Sequence, residues 1–183
     1  MWVGGSFLKK LAFCICFLLV GVIMFQSNVQ ASPDYGKIKG TITWQYNKYV
    51  GTKGDVGAQI YVIPTSFSPQ TISEDEEKAY FMTGKVPKNS MLFYTTADGY
   101  GNYEIDGVPA GEYCVFIISM KTTRDFTKPV PEYTKNALKP YIRNWDTIEK
   151  GTLVKLHNHV FKNVEIRSGI TTIFSHDFGF TYI

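Results

Sequence analysis

Thr95–Ser119, TTADGYGNYEIDGVPAGEYCVFIIS, decides how this chain is read. Its first residues are β-prone, and Asp98-Gly99-Tyr100-Gly101 supplies a glycine-rich reversal. Asn102-Tyr103-Glu104-Ile105 is a short strand, and Gly107-Val108-Pro109-Ala110-Gly111 turns the chain again. Tyr113 to Met120 then runs on as an apolar strand. Strand, tight turn, strand, tight turn, strand is the grammar of an antiparallel β protein. The stretch holds no nucleophile beside a base.

Outward from it, the same grammar recurs. Lys37 to Trp44 alternates, with Ile38, Ile42 and Trp44 on one side and lysines and threonines on the other, as in a half-buried strand. Gly40 within it marks a close backbone approach. Gln45 to Asp55 is polar and reads as a loop, and Val56 to Ile63 is a second strand that Pro64 ends. Leu153 to Ile166 reads as one bent strand or two short ones. Thr171 to Phe180 is the last, with Thr172, Phe174, His176 and Phe178 on one face. About seven strands with little helix make an all-β sandwich.

Two insertions interrupt the strands, at about residues 65–91 and 121–151. In the first, Ser73 and Glu76 have capping-box spacing ahead of a short helix to Met82. In the second, Pro131 suits a first helical turn. Tyr133, Ala137, Tyr141 and Trp145 then recur every four residues as one aromatic face, which Pro140 kinks or splits.

Residues 1–31 read as a secretory signal: Lys9 and Lys10, an uncharged apolar run from Leu11 to Phe25, and a small-residue cleavage site at Val29-Gln30-Ala31. The run is short of the roughly 20 residues of a spanning helix, so contact with a membrane is expected only if this segment is retained. Ser32–Ile183 is then one exported domain, secreted or associated with the cell envelope. The 19 basic residues of the whole chain less the two leader lysines leave 17 against 16 acidic, a net charge of +1, so the basicity of the whole chain says nothing about nucleic acid and no nucleic-acid partner is expected. Cys114 alone remains of three cysteines and forms no intramolecular disulfide.

In sequence, Gly36 to Ile42, Val56 to Val62, Thr96 to Ile105, Val108 to Tyr113 and Asn163 to Ile166 with Gly169 together resemble the carboxypeptidase regulatory-like domains. This is the transthyretin-like or prealbumin-like family. The resemblance implies a Greek-key β-sandwich and little about chemistry, because those residues build turns and core. A zinc carboxypeptidase needs a His-x-x-Glu motif, and His157 and His176 are not followed by one. A related hydrolase ends in Tyr-Arg-Gly-Ser, whereas this chain ends in Gly179-Phe180-Thr181-Tyr182-Ile183. Some exported domains of this fold join a lysine to an asparagine. Lys37, Lys39 and Asn163 are the residues to test for that, although both lysines fall on the polar face.

The resulting expectation is a non-catalytic binding or structural module that contacts envelope polysaccharide or protein through its insertions. Tyr133, Tyr141 and Trp145, with Tyr46, Tyr49 and Tyr100 near loops, are the stacking candidates; packing onto the sandwich is their alternative role. The second functional class is metal binding, with no resident cofactor otherwise expected. His157 and His159 share a strand face by alternation, and with His176 or Asp177 they would make a zinc or copper site.

Overall fold

Every residue from Tyr113 to Ser119 is buried, which a strand with one wet face cannot achieve. The computed structural model, which describes residues 34–181, shows why: the sheet carrying this strand is covered on both faces. The signal segment read over residues 1–31 lies outside the described residues.

Nine strands and three α-helices are found among the described residues: β1 (Tyr35–Asn47), β2 (Gly51–Gly54), β3 (Gln59–Pro64), α1 (Glu74–Thr83), β4 (Phe93–Thr96), β5 (Asn102–Pro109), β6 (Gly111–Thr123), α2 (Glu132–Leu138), α3 (Trp145–Gly151), β7 (His157–Ile166), β8 (Thr171–Ile173) and β9 (His176–Phe180). One sheet is centred on β1. At Ile38 it pairs with Ile105 of β5 and Thr172 of β8, and at Thr43 with Gly54 of β2 and Asp177 of β9. The first of each pair runs antiparallel and the second parallel. The other sheet has the order β4-β3-β6-β7, all antiparallel.

The two sheets form the expected sandwich. Ile38 and Ile42 of β1 meet Ile60, Val62, Val115 and Ile117 of the second sheet, with Tyr103, Ile166 and Phe174 completing that core. A second core lies on the opposite face of β3 and β6. There Tyr61, Ile63, Cys114, Phe116 and Ile118 pack against Tyr80, Phe81, Leu138, Tyr141, Ile142 and Ile148. The insertions are therefore a structural layer that covers a sheet face, which accounts for the unbroken apolar run in β6. Burial among these side chains pushes the Cys114 thiol up to about 11, which leaves it an unreactive core group.

The turn chemistry follows the residues. Asp98 Oδ1 accepts from the Tyr100 and Asn102 amides, both at 2.8 Å, and these bonds hold its carboxyl below the usual range. Gly101, at φ +84°, accepts at its carbonyl from Ile42 N–H, and a Cβ there would overlap the Ile42 oxygen. At Gly40 a Cβ would overlap the Phe174 carbonyl, the close approach that β8 and β9 need to lie along β1. Tyr103 and Tyr113 bury their rings and donate to the carbonyls of Phe174 (2.7 Å) and Pro109 (2.9 Å).

Two loop and strand expectations change. The polar Gln45–Asp55 segment is a hairpin: Asn47 Oδ1 accepts from Tyr49 and Val50 amides, and Gly51 at φ +78° lets β2 return. The last strand is split at Phe174 and Ser175, where Thr41 N–H turns to the Ser175 hydroxyl instead of a backbone carbonyl. Phe174 and Phe178 still reach the inter-sheet core.

Candidate functional site

The capping box forms as spaced, with Ser73 Oγ accepting from Glu76 N–H (3.2 Å) and Glu76 Oε2 accepting from Ser73 N–H (2.9 Å), and Gly84 at φ +73° closes α1. Glu77, on the same helix, is buried, and its Oε1 accepts from Arg143 N–H at 2.8 Å. The Arg143 guanidinium lies 3.8 Å from Glu77 and donates to the carbonyls of Pro69 and Ile72. Arg143 therefore ties the second insertion to the first. Nothing in its local sequence marks it, since the partners are 66 and more residues away.

The three aromatic candidates do not share one face. Pro140 splits the helix into α2, a 3-10 turn at Lys139–Tyr141 and α3, which Asn144 caps through a 3.2 Å bond from Thr147 N–H. Tyr141 is buried in the second core, where it is unavailable for stacking on a ligand. Tyr133 stays 64% exposed and leans on Phe161 of β7, with ring centroids 6.1 Å apart. Trp145 is half-buried against the second core and donates its indole N–H to Glu149. Of the loop aromatics, Tyr46, Tyr49 and Tyr100 are all exposed. Lys53 caps the ring of Tyr46 at 4.1 Å and Lys48 that of Tyr49 at 4.9 Å.

The structure does not bring the three histidines together. His159 faces the helical layer, against Phe116 and Thr134. Its Nδ1 is 3.1 Å from the His157 carbonyl and its Nε2 3.2 Å from the Thr134 hydroxyl, an arrangement that places the proton on Nδ1. Burial holds this imidazole below its ordinary range. His157 Nδ1 is buried and has no hydrogen-bond partner among the described residues. His176 belongs to the other sheet and packs edge-on to Phe178 at 4.6 Å. The Asp177 carboxylate accepts from Gln45 and from Gly179 N–H. No cluster of three or more His, Cys, Asp or Glu side chains able to hold a metal occurs among the described residues. The zinc or copper reading is corrected for the same reason that misled it: strand alternation fixes a face, and β7 and β9 present theirs in different layers.

The lysine–asparagine pairing also fails on geometry. Lys37 is held by Glu104 (2.7 Å) and Asp106 (2.8 Å) on the β1–β5 surface, while Asn163 sits on β7 in the other sheet.

An unassigned cleft of about 620 Å³ opens where the first insertion meets the β5–β6 turn. Thr65 anchors its floor, its N–H and hydroxyl both reaching the Glu112 carbonyl at 2.9 and 3.2 Å. Phe67 and Met91 give it apolar walls. Around them stand Ser66, Lys88, Asn89 and Glu112, all exposed, whose side chains make no hydrogen bond or ion pair among the described residues. Asn89, at φ +59°, is the one non-glycine among the described residues in the left-handed region, and it lies on the cleft's rim. Sequence reading passed over this place because its residues come from three separate turns of ordinary polar composition.

No family model and no curated protein matches the chain. Solved structures align with most of it: the TIE protein of Bacillus anthracis at 12% identity and TM-score 0.41, over 80% of this chain and 16% of that one; the minor pilin GBS52 of Streptococcus agalactiae at 9% and 0.43, over 82% and 46%; and a Pseudomonas aeruginosa protein described as a candidate carbohydrate binder at 11% and 0.38, over 80% and 92%. The chain thus spans 16% and 46% of the first two. At these identities and TM-scores none of the likenesses assigns a family or a function. No helix among the described residues is long and apolar enough to cross a membrane.

Proposed function

We propose that the chain is an exported, non-catalytic binding module of the carboxypeptidase regulatory-like type, that residues 1–31 are its cleaved signal, and that the cleft beside the β5–β6 turn takes a saccharide of the cell envelope. The cleft carries this reading. A sugar ring has an apolar C–H face and a polar hydroxyl rim, and Phe67 and Met91 with the four free polar side chains offer the complement of both. Lys88 and Glu112 supply one donor and one acceptor of opposite charge, which suits a hydroxyl lattice and places no demand for net charge on the ligand.

The experiment is a glycan array probed with residues 32–183, followed by calorimetry on the bound glycan with Phe67→Ala and Glu112→Gln. Each substitution is expected to weaken binding at least fivefold; Glu112→Gln should leave thermal unfolding within a degree or two, whereas Phe67→Ala, whose ring also packs on the second core, should lower it by several degrees with the domain still folded at about 25 °C. Absence of any bound glycan, or binding by both variants that equals wild type, overturns the reading. Export is tested separately: the N-terminal residue of the secreted protein is expected to be Ser32.

A further inference from the structure

We propose a second, separate site: the free edge of β7 receives an extended peptide segment of a partner protein by strand addition. Thr65 N–H donates to the Glu112 carbonyl from the β3 side, so the groups of Glu112, Cys114, Phe116 and Ile118 turn toward β3. Those of Tyr113, Val115 and Ile117 then turn toward β7 and meet Val164, Lys162 and Val160. The alternate residues of β7 direct their amides and carbonyls away from the sheet. The two ends of that edge are closed by the protein's own side chains. Thr172 donates its hydroxyl to the Glu165 carbonyl at 3.0 Å, and His159 caps the His157 carbonyl. Between the caps, the outward backbone groups of His159, Phe161 and Asn163 have no hydrogen-bond partner among the described residues. Among the described residues β7 is an edge strand that pairs only with β6.

The chemistry of that window selects its occupant. Three donor–acceptor pairs repeating at roughly 7 Å match the backbone of an extended polypeptide. On the helical side a cleft of about 270 Å³, lined by Ala137, Tyr141, Phe161 and Asn163, offers room for alternate apolar side chains, with exposed Tyr133 beside Phe161. Charge adds a preference. Lys162 stands exposed above the Phe174 ring at 5.7 Å, whereas the acid on the strand, Glu165, is neutralised by Arg167 at 2.6 Å. An extended segment with alternating apolar residues and one acid is therefore the partner the edge fits. Natural sheets usually block such a window with a proline, a bulge or a charge. The His159–Asn163 stretch has no proline, and its guards are Lys162, set over Phe174 on the core side, and the register shift beyond His159, so an acid on the partner is what offsets the lysine.

The test uses residues 32–183 and a soluble synthetic peptide that alternates valine with threonine and carries one aspartate. In amide NMR titrations, His159, Phe161 and Asn163 are expected to shift and gain exchange protection, while Val160, Lys162 and Val164 are protected throughout. Methylating the peptide's amides that face β7 is expected to weaken binding at least tenfold, and methylating the alternate set to leave it unchanged. Asn163→Pro removes an outward donor without touching the β6 ladder and is expected to weaken binding similarly. No shift at millimolar peptide, or equal binding by both methylated peptides, overturns the proposal. So does concentration-dependent protection of the same three amides without peptide, which would assign the edge to a second copy of the chain. None of these readouts involves the saccharide cleft.

Discussion

Asp55 offers the sharpest test of how the layers are joined. It is fully buried in the turn after β2, and its carboxylate accepts from the Ser119 hydroxyl at 2.5 Å and from Met120 N–H at 3.0 Å. Ser119 Oγ in turn accepts from the Thr122 and Lys121 amides, so the pair organises the irregular end of β6 and links it to the β1 sheet. Asp55→Ala leaves the Met120 amide and the Ser119 hydroxyl buried without this partner. At about 1–3 kcal/mol for each unmet group, the expected loss is about 2–4 kcal/mol, a large part of the roughly 5–15 kcal/mol that holds a domain of this size folded. Desolvation raises the Asp55 carboxyl above its ordinary value, against the opposing bond from Ser119. The folded state therefore binds this proton more tightly than the unfolded state. Wild-type stability falls as pH rises from the unfolded value, about 3.9, through the folded one. Asp55→Asn keeps an acceptor for Met120 without a charge, so its cost relative to wild type should be greatest in acid and shrink toward neutrality. Urea unfolding of the three proteins between pH 4 and 8 measures both effects. A loss below about 0.5 kcal/mol for Asp55→Ala at pH 7, or a cost of Asp55→Asn that grows with pH, would refute the reasoning.

Tyr141→Ala should cost about 3–5 kcal/mol because it opens the second core, whereas Tyr133→Ala, at an exposed position, should stay within about 0.5 kcal/mol; denaturant melts separate them. Arg143→Ala takes the guanidinium from beside the buried Glu77 carboxylate, which keeps its bond from the backbone amide of residue 143, and releases the Pro69 and Ile72 carbonyls. About 2 kcal/mol should be lost, with hydrogen exchange rising in α1 and α3 before it rises in β3 or β6. His159 is held neutral, so the unfolded chain takes up protons that the folded chain refuses. Its share of stability is lost as pH falls from about 6.5 through the folded value. His159→Gln, which preserves an acceptor for Thr134, should flatten that part of the pH–stability curve; an unchanged slope would count against the assignment.

Sheet and turn structure were legible because their causes are local. The glycine at position 101, the aspartate that ties its own turn and the alternation of Ile38 and Ile42 each act within a few residues. The Ser73–Glu76 box was legible for the same reason. The hairpin at β2 was missed because its strand has no apolar alternation; Asn47 and Gly51 make the turn, and pairing with β1 supplies the rest. Site residues fared worse because they depend on distance. Periodicity placed Tyr141 on an apolar face correctly, yet it cannot say whether that face meets ligand or protein. Likewise His157, His159 and His176 looked close in strand logic, and only the sheet order, with β7 beside β6 and β9 beside β1, separates them.

The helical layer explains where recognition is left to occur. A sandwich of two sheets normally keeps an outer face for partners, but here α1, α2 and α3 cover the outer face of β3 and β6 and bury its aromatic residues in a second core. Once that face is spent on packing, the insertions have only their margins left for the binding proposed above. One margin is the loop boundary with the β5–β6 turn, where Phe67 and Met91 stay accessible. The other is the edge at β7, where Tyr133 of α2 stays exposed beside Phe161. The same economy places the chain's polar ties, Asp55–Ser119 and Glu77–Arg143, at the seams between layers. Seams and margins are thus distinct: substitutions at the former should unfold the protein, and substitutions at the latter should leave it folded and remove a ligand.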